Sequence, residues 1–106
     1  DIDGEAADDY SGYSASLSAD GTTVAIGAYY NDGNGTDSGH VRVYHLDDSG
    51  SSSIWAQVGN DIDGVAANDW SGRSVSLSSD GKSVAVGSPY KDDNGADAGH
   101  ARVYSV

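Results

Sequence analysis

Apolar and polar residues alternate in short runs along the chain, and the period is two. Ala15 and Leu17 stand between Ser14, Ser16 and Ser18, and the alternation resumes at Val24 and Ile26 after Asp20-Gly21. Runs of this period are half-buried strands, and Asp-Gly favours the tight turns that join hairpins, so the two runs predict a β-hairpin. A glycine-rich, acidic loop follows from Asn31 to Gly39, after which Val41 and Val43 alternate with Arg42 and Tyr44 in a third strand. A fourth strand is predicted at Ile54 to Val58, beyond the serine-rich turn Ser49 to Ser53. No stretch carries an apolar stripe recurring about every 3.6 residues, so no helix is expected.

The pattern then starts again. Residues 1–46 align without a gap on residues 61–106, and 28 of the 46 positions are identical. Asp1-Ile2-Asp3-Gly4 returns as Asp61-Ile62-Asp63-Gly64, Ser11-Gly12 as Ser71-Gly72, and Arg42-Val43-Tyr44 as Arg102-Val103-Tyr104. Self-similarity at a fixed offset marks a repeat protein, whose units cannot each cover a hydrophobic face alone. The chain divides into two blade repeats, 1–60 and 61–106, the second lacking the fourth-strand segment. Each unit makes one meandering antiparallel sheet that must stack on copies of itself. Ala25, Gly27 and Ala28, matched by Ala85, Gly87 and Ser88, are the small residues that close approach of sheets requires. Radial stacking of four-stranded units is the β-propeller, which takes about four to eight blades. The expected fold class is all-β: tandem four-stranded antiparallel blades of propeller type, two units in this chain.

Composition sharpens this picture. Hydrophobic residues at 37% and 15 glycines leave a small private core, so buried surface is expected from neighbouring units. There is no Cys, hence no disulfide and no thiolate metal site. A chain that starts at Asp1 and holds no Met is expected to be processed or to be part of something longer. The net charge of −12 disfavours nucleic acid and anionic membrane surfaces as partners. Apolar runs such as Val24-Ala25-Ile26 fall far short of the roughly 20 residues that cross a bilayer, so no membrane insertion is expected. Divalent cations are compatible with the acid, and so is plain solvation of an extracellular surface.

The segments Ser11-Gly12-Tyr13-Ser14-Ala15-Ser16-Leu17-Ser18, Asp20-Gly21, Val24-Ala25-Ile26-Gly27-Ala28 and Gly39-His40-Val41-Arg42-Val43-Tyr44 fall in a familiar order. This order resembles the FG-GAP-like repeats of integrin alpha-type β-propellers, in the bacterial and algal style of long tandem arrays. The resemblance covers nearly the whole chain and implies the blade fold; it says little about a ligand. Two departures bear on function. Ser11-Gly12 and Ser71-Gly72 stand where the family has Phe-Gly, which passes the aromatic role to Tyr10 and Trp70. The family's calcium loop between its first two strands is replaced by Ser18 to Thr22 and Ser78 to Lys82, too short to wrap a cation with about six to eight oxygens. The family's calcium residues are therefore not carried over.

Other residues offer chemistry of their own. Asp32, Asn34 and Asp37, with Asp92, Asn94 and Asp97 at the same spacing, place side-chain oxygens on a glycine-rich loop, an arrangement that suits calcium. The competing reading is that Asp, Asn and Gly are the ordinary residues of tight loops. A second candidate set is Asp1, Asp3 and Asp9 with Asp61, Asp63 and Asp69. Asn34-Gly35-Thr36 is an N-glycosylation acceptor, whereas Asn94-Gly95-Ala96 is not, and a glycan on Asn34 would compete with a metal there. The run Ser49 to Ser53 is either an O-glycosylated stretch or a bare flexible turn.

Catalysis finds little support. Gly12-Tyr13-Ser14-Ala15-Ser16 is not a nucleophile elbow, and Gly81-Lys82-Ser83 lacks the upstream glycine of a phosphate loop, Ser76 standing there. His40 and His100 open equivalent strands, and a duplicated side chain points to packing rather than to one unique active site. The expected function is that of a non-catalytic extracellular or cell-surface structural or adhesion module. Its partners would be copies of itself or adjacent repeats of a longer chain, with a fibre subunit among the outcomes. The alternative is a calcium-dependent, lectin-like module binding an extracellular protein or glycan, with Tyr29, Tyr30 and Tyr90 as stacking platforms.

Overall fold

The computed structural model describes residues 2–4, 6–30, 38–50, 52–64, 68–89 and 99–106. The first hairpin is β1 (Ser14–Leu17) and β2 (Thr23–Ala28), antiparallel, with Ser14 opposite Gly27 and Leu17 opposite Val24. Its turn closes on Asp20, whose Oδ1 accepts from Ser18 Oγ at 2.9 Å, Thr22 Oγ1 at 2.8 Å and Thr22 N at 3.1 Å. These bonds, the Thr22 hydroxyl first, hold the Asp20 carboxyl below its ordinary range. Gly21 takes the left-handed backbone that the turn needs, with φ of 75°.

Strand β3 (His40–Asp47) pairs with β2 along its whole length, and β4 (Ile54–Gln57) pairs with residues 44–47 of β3. The third strand is longer than the alternation at Val41 to Tyr44 suggests, because β4 supplies a ladder partner for its second half. The alternation alone does not show a further short strand, β5 (Ile62–Asp63), which lies beside the first half of β3 with His40 opposite Asp63 and Val41 opposite Ile62. The first sheet therefore runs β1-β2-β3, and β4 and β5 share the outer edge of β3.

The second sheet repeats the first three strands as β6 (Ser74–Leu77), β7 (Ser83–Ser88) and β8 (His100–Ser105), in that order and with matching registers. All elements among the described residues are strands. The two sheets stack face to face, and neither closes on itself. The core lies between them. Ala25, Val41 and Val43 from the first sheet meet Leu77, Val84 and Val86 from the second, and every one of the six is at most 8% exposed. Small residues on β2 allow this approach: a side chain at Gly27 would collide with the Gly72 carbonyl oxygen of the facing sheet.

Candidate functional site

Among the described residues, the most elaborate polar network sits where the two units join. Gly39 adopts φ of 80° and forms a parallel bridge with Ser71 of the second unit, whose backbone leaves no room for a Cβ at Gly39. Ser71 N donates to the Ser38 carbonyl at 2.9 Å, and Gly64 N to the Gly39 carbonyl at 2.7 Å. These bonds deliver β5 to the edge of β3. Beside them the Arg42 guanidinium grips Asp61 with two hydrogen bonds, Nε to Oδ1 at 2.7 Å and NH2 to Oδ2 at 3.0 Å, and Gln57 Nε2 adds a third to Oδ1 at 2.6 Å. A bidentate, partly buried pair of this kind is among the stronger polar contacts a protein makes. Chiefly through the Arg42 hydrogen bonds, it holds the Asp61 carboxyl down to about 2.

His40 is 4% exposed beside this pair, its Nδ1 3.9 Å from Asp61 Oδ2 and 3.9 Å from Asp63 Oδ1. One ligand atom from each of His40, Asp61 and Asp63 can be chosen so that all lie within 4.8 Å, a cluster able to coordinate a metal ion. Its chemistry does not favour calcium, which takes oxygen ligands in larger number. In addition, Arg42 already neutralises Asp61 and occupies both of its carboxylate oxygens. Of the three residues that could hold a metal, Asp61 thus already serves in the clasp between units.

The rest of the joint lies further along the facing sheets. Ser14 Oγ donates to the Gly72 carbonyl at 2.7 Å, Leu77 N donates to Ser16 Oγ at 2.9 Å, and Ala19 N donates to the Ser79 carbonyl at 3.0 Å. At one end an aromatic cluster spans both units. Trp70 packs on Tyr29 and Tyr30 with ring centroids 5.1 and 5.0 Å away, and the Arg73 guanidinium stacks 4.4 Å above the Tyr13 ring. Tyr10 packs on Tyr29 and Tyr30 in the same cluster, and Tyr10 and Trp70 each take a left-handed backbone with φ of 58°.

The FG-GAP repeat family model matches both halves of the chain, over residues 2–44 and 62–104. The chain belongs to the FG-GAP repeat family. No characterised protein matches it in sequence. The first FG-GAP match covers β1, β2 and most of β3, and the second covers β5, β6, β7 and most of β8, while β4 falls between the two. Membership in this family is consistent with a structural or adhesion repeat module.

The positions singled out in the sequence fare differently. Asp32, Asn34, Asp37, Asp92, Asn94 and Asp97 lie outside the described residues, as do the Asn34 glycosylation acceptor, Asp1 and Tyr90. Of the second acidic set, Asp61 and Asp63 come together with His40, whereas Asp9 and Asp69 are buried and are not among the ligands of that cluster. The short turns Ser18 to Thr22 and Ser78 to Lys82 spend their carboxylates internally, Asp20 on Ser18 and Thr22 and Asp80 on Ser78 and Lys82. Tyr29 is no stacking platform: at 6% exposure it lies inside the aromatic cluster, and burial raises its pKa, helped by Tyr30 and Tyr13. No helix among the described residues is long and apolar enough to cross a membrane.

Proposed function

We propose that this FG-GAP chain is a non-catalytic, extracellular structural or adhesion module whose working surface is the joint between repeats. The blade repeats at 1–60 and 61–106 are units of a stack, and further units, in the same chain or another, would extend it toward a propeller or a fibre. The observation that carries this reading is how the joint is built. Sheet faces, a crossing strand and an ion-pair clasp all link one unit to the next, and most of the residues concerned recur in both copies. Repeat proteins derive their stability from such nearest-neighbour interfaces.

A high-resolution map of the native material tests the reading. Continued face-to-face stacking of sheets beyond residues 1–106 supports it. Isolated two-unit bodies with an ordered ligand held against Tyr10 and Tyr13 would replace it with a binding module. A metal-stiffened joint is a second reading, favoured by the geometry of His40, Asp61 and Asp63. A rise in melting temperature with a divalent ion, abolished in His40→Ala, is its expected signature.

A further inference from the structure

We infer that the two outer faces of the molecule are the two halves of the same joint, left open, and that they dock a second copy of this chain head to tail in the register of the internal joint. The inference rests on the stacking reading and gives it a specific partner and specific contacts.

The residues that make the internal joint are largely those that the two copies share. On the accepting side, Ser14, Ser16, Ala25 and Gly27 recur as Ser74, Ser76, Ala85 and Gly87. On the donating side, the segment Ile62-Asp63-Gly64 recurs as Ile2-Asp3-Gly4, Gly72 as Gly12 and Leu77 as Leu17. Among the described residues, no other unit covers the accepting half of the second unit or the donating half of the first. Their exposure agrees: Val43 is 3% exposed and its counterpart Val103 73%, while Leu77 is 8% exposed and Leu17 57%. Within each matched pair, one member is covered by the other unit and its counterpart is exposed.

The shapes correspond as well. In the internal joint Gly72 of the second unit sits against Gly27 and Ser14. The equivalent place in the second unit is an open groove of about 470 Å³ bordered by Ser74, Gly87 and His100. Gly12 of the next copy fits there, with Ser74 Oγ donating to its carbonyl as Ser14 Oγ donates to Gly72. The donating face in turn bears an apolar groove formed by Ile2, Leu17, Val24 and Ile26. The outer edge of β8 receives Ile2-Asp3 as β3 receives Ile62-Asp63, a strand addition that satisfies backbone groups otherwise left at a sheet edge. Arg102, exposed here, stands where Arg42 grips Asp61, and the carboxylate that corresponds to Asp61 in sequence is Asp1.

Because one face donates and the other accepts, the contact is heterologous, and each added copy presents a fresh face of the same kind. The product is an open chain or a ring of copies.

Light scattering on the 106-residue chain, with single variants that block one face each, tests the proposal. Leu17 and Val103 are exposed, so Leu17→Glu and Val103→Glu are expected to fold, as circular dichroism will show. The wild-type chain is expected to grow in mass with concentration beyond a dimer. Each variant alone is expected to stay monomeric, and an equimolar mixture of the two to form a 1:1 heterodimer and nothing larger, since only one donor face and one acceptor face remain. Arg102→Gln should weaken wild-type association roughly tenfold. A wild-type chain that remains monomeric at every concentration overturns the second-copy proposal, while the stacking reading stands or falls on the native map. Association that survives both blocking variants, or a mixture that forms no heterodimer, overturns the register.

Discussion

Leu17 and Leu77 occupy the same position in two copies of one unit, yet Leu77 is buried against the facing sheet and Leu17 is more than half exposed. Val43 and Val103 differ in the same way. The local sequences are nearly identical and the strands have the same registers, so neither propensity nor turn chemistry accounts for the difference. What differs is whether a neighbouring unit is present. A blade side chain acquires its energetic role from the next blade, so identical residues contribute unequally according to their place in the stack.

The contrast can be broken by mutation, and the largest effect is expected at Leu77. Leu77→Ala removes apolar volume from the shared core and should cost about 2–4 kcal/mol in urea unfolding. Leu17→Ala should stay within about 0.5 kcal/mol in the monomer, as surface substitutions do. Equal costs for the two would mean that the sheets do not stack as described. Next comes Gly27→Ala, which drives a methyl group into the Gly72 carbonyl of the facing unit and should destabilise by about 2 kcal/mol, the range of overpacked sites. Gly87→Ala meets no second unit, only its own neighbour Ser74, and should cost less.

The clasp supplies a smaller and pH-dependent contrast. Arg42→Gln should cost about 1–2 kcal/mol by leaving Asp61 without its charged partner, whereas Arg102→Gln should be nearly neutral in the monomer. The Asp61 carboxyl titrates at about 2 in the folded chain against an ordinary value of 3.8, so its contribution is fully present above pH 3.8. As pH falls from 3.8 toward 2, the unfolded chain takes up the proton first and the contribution is lost. Solvent reaches 29% of the Asp61 side chain, which reduces the linked stability to about 1 kcal/mol. Unfolding free energies measured across this interval should show that loss in the wild type, and a smaller one in Arg42→Gln. The smallest contrast is a control: Asp20→Asn and Asp80→Asn disrupt matching turns and should lower the melting temperature by similar small amounts.

Much of the fold is legible in the residues. The alternation around Ala15 and Leu17, the Asp20-Gly21 turn and the run at Ile54 mark β1, β2 and β4 nearly where they occur, and the repeat implies the stacking of sheets. Strand β5 is hidden because two residues cannot display a period; only the recurrence of Asp-Ile-Asp-Gly hints that the segment is special. The clasp is hidden for a different reason. Arg42 and Asp61 are 19 residues apart and meet only because β5 crosses to the sheet of the preceding unit. The acidic residues at 32, 37, 92 and 97 draw the eye by composition, while the buried His40 beside Asp61 and Asp63 could be found only by asking which recurring polar residues face the joint.

Amide hydrogen exchange at Leu17 and Leu77, measured on the wild-type chain at a concentration low enough to keep it monomeric, tests the central claim most directly. Both amides point away from the hairpin ladder, because each leucine lies opposite Val24 or Val84 in a non-hydrogen-bonded pair. Of the two, among the described residues, it is the Leu77 N–H that finds an acceptor across the joint, at Ser16 Oγ. If neighbouring units confer the stability, Leu77 exchanges slowly, near the rate of global unfolding, while Leu17 exchanges close to the rate of an open loop. Equal and rapid exchange at both amides would contradict the account.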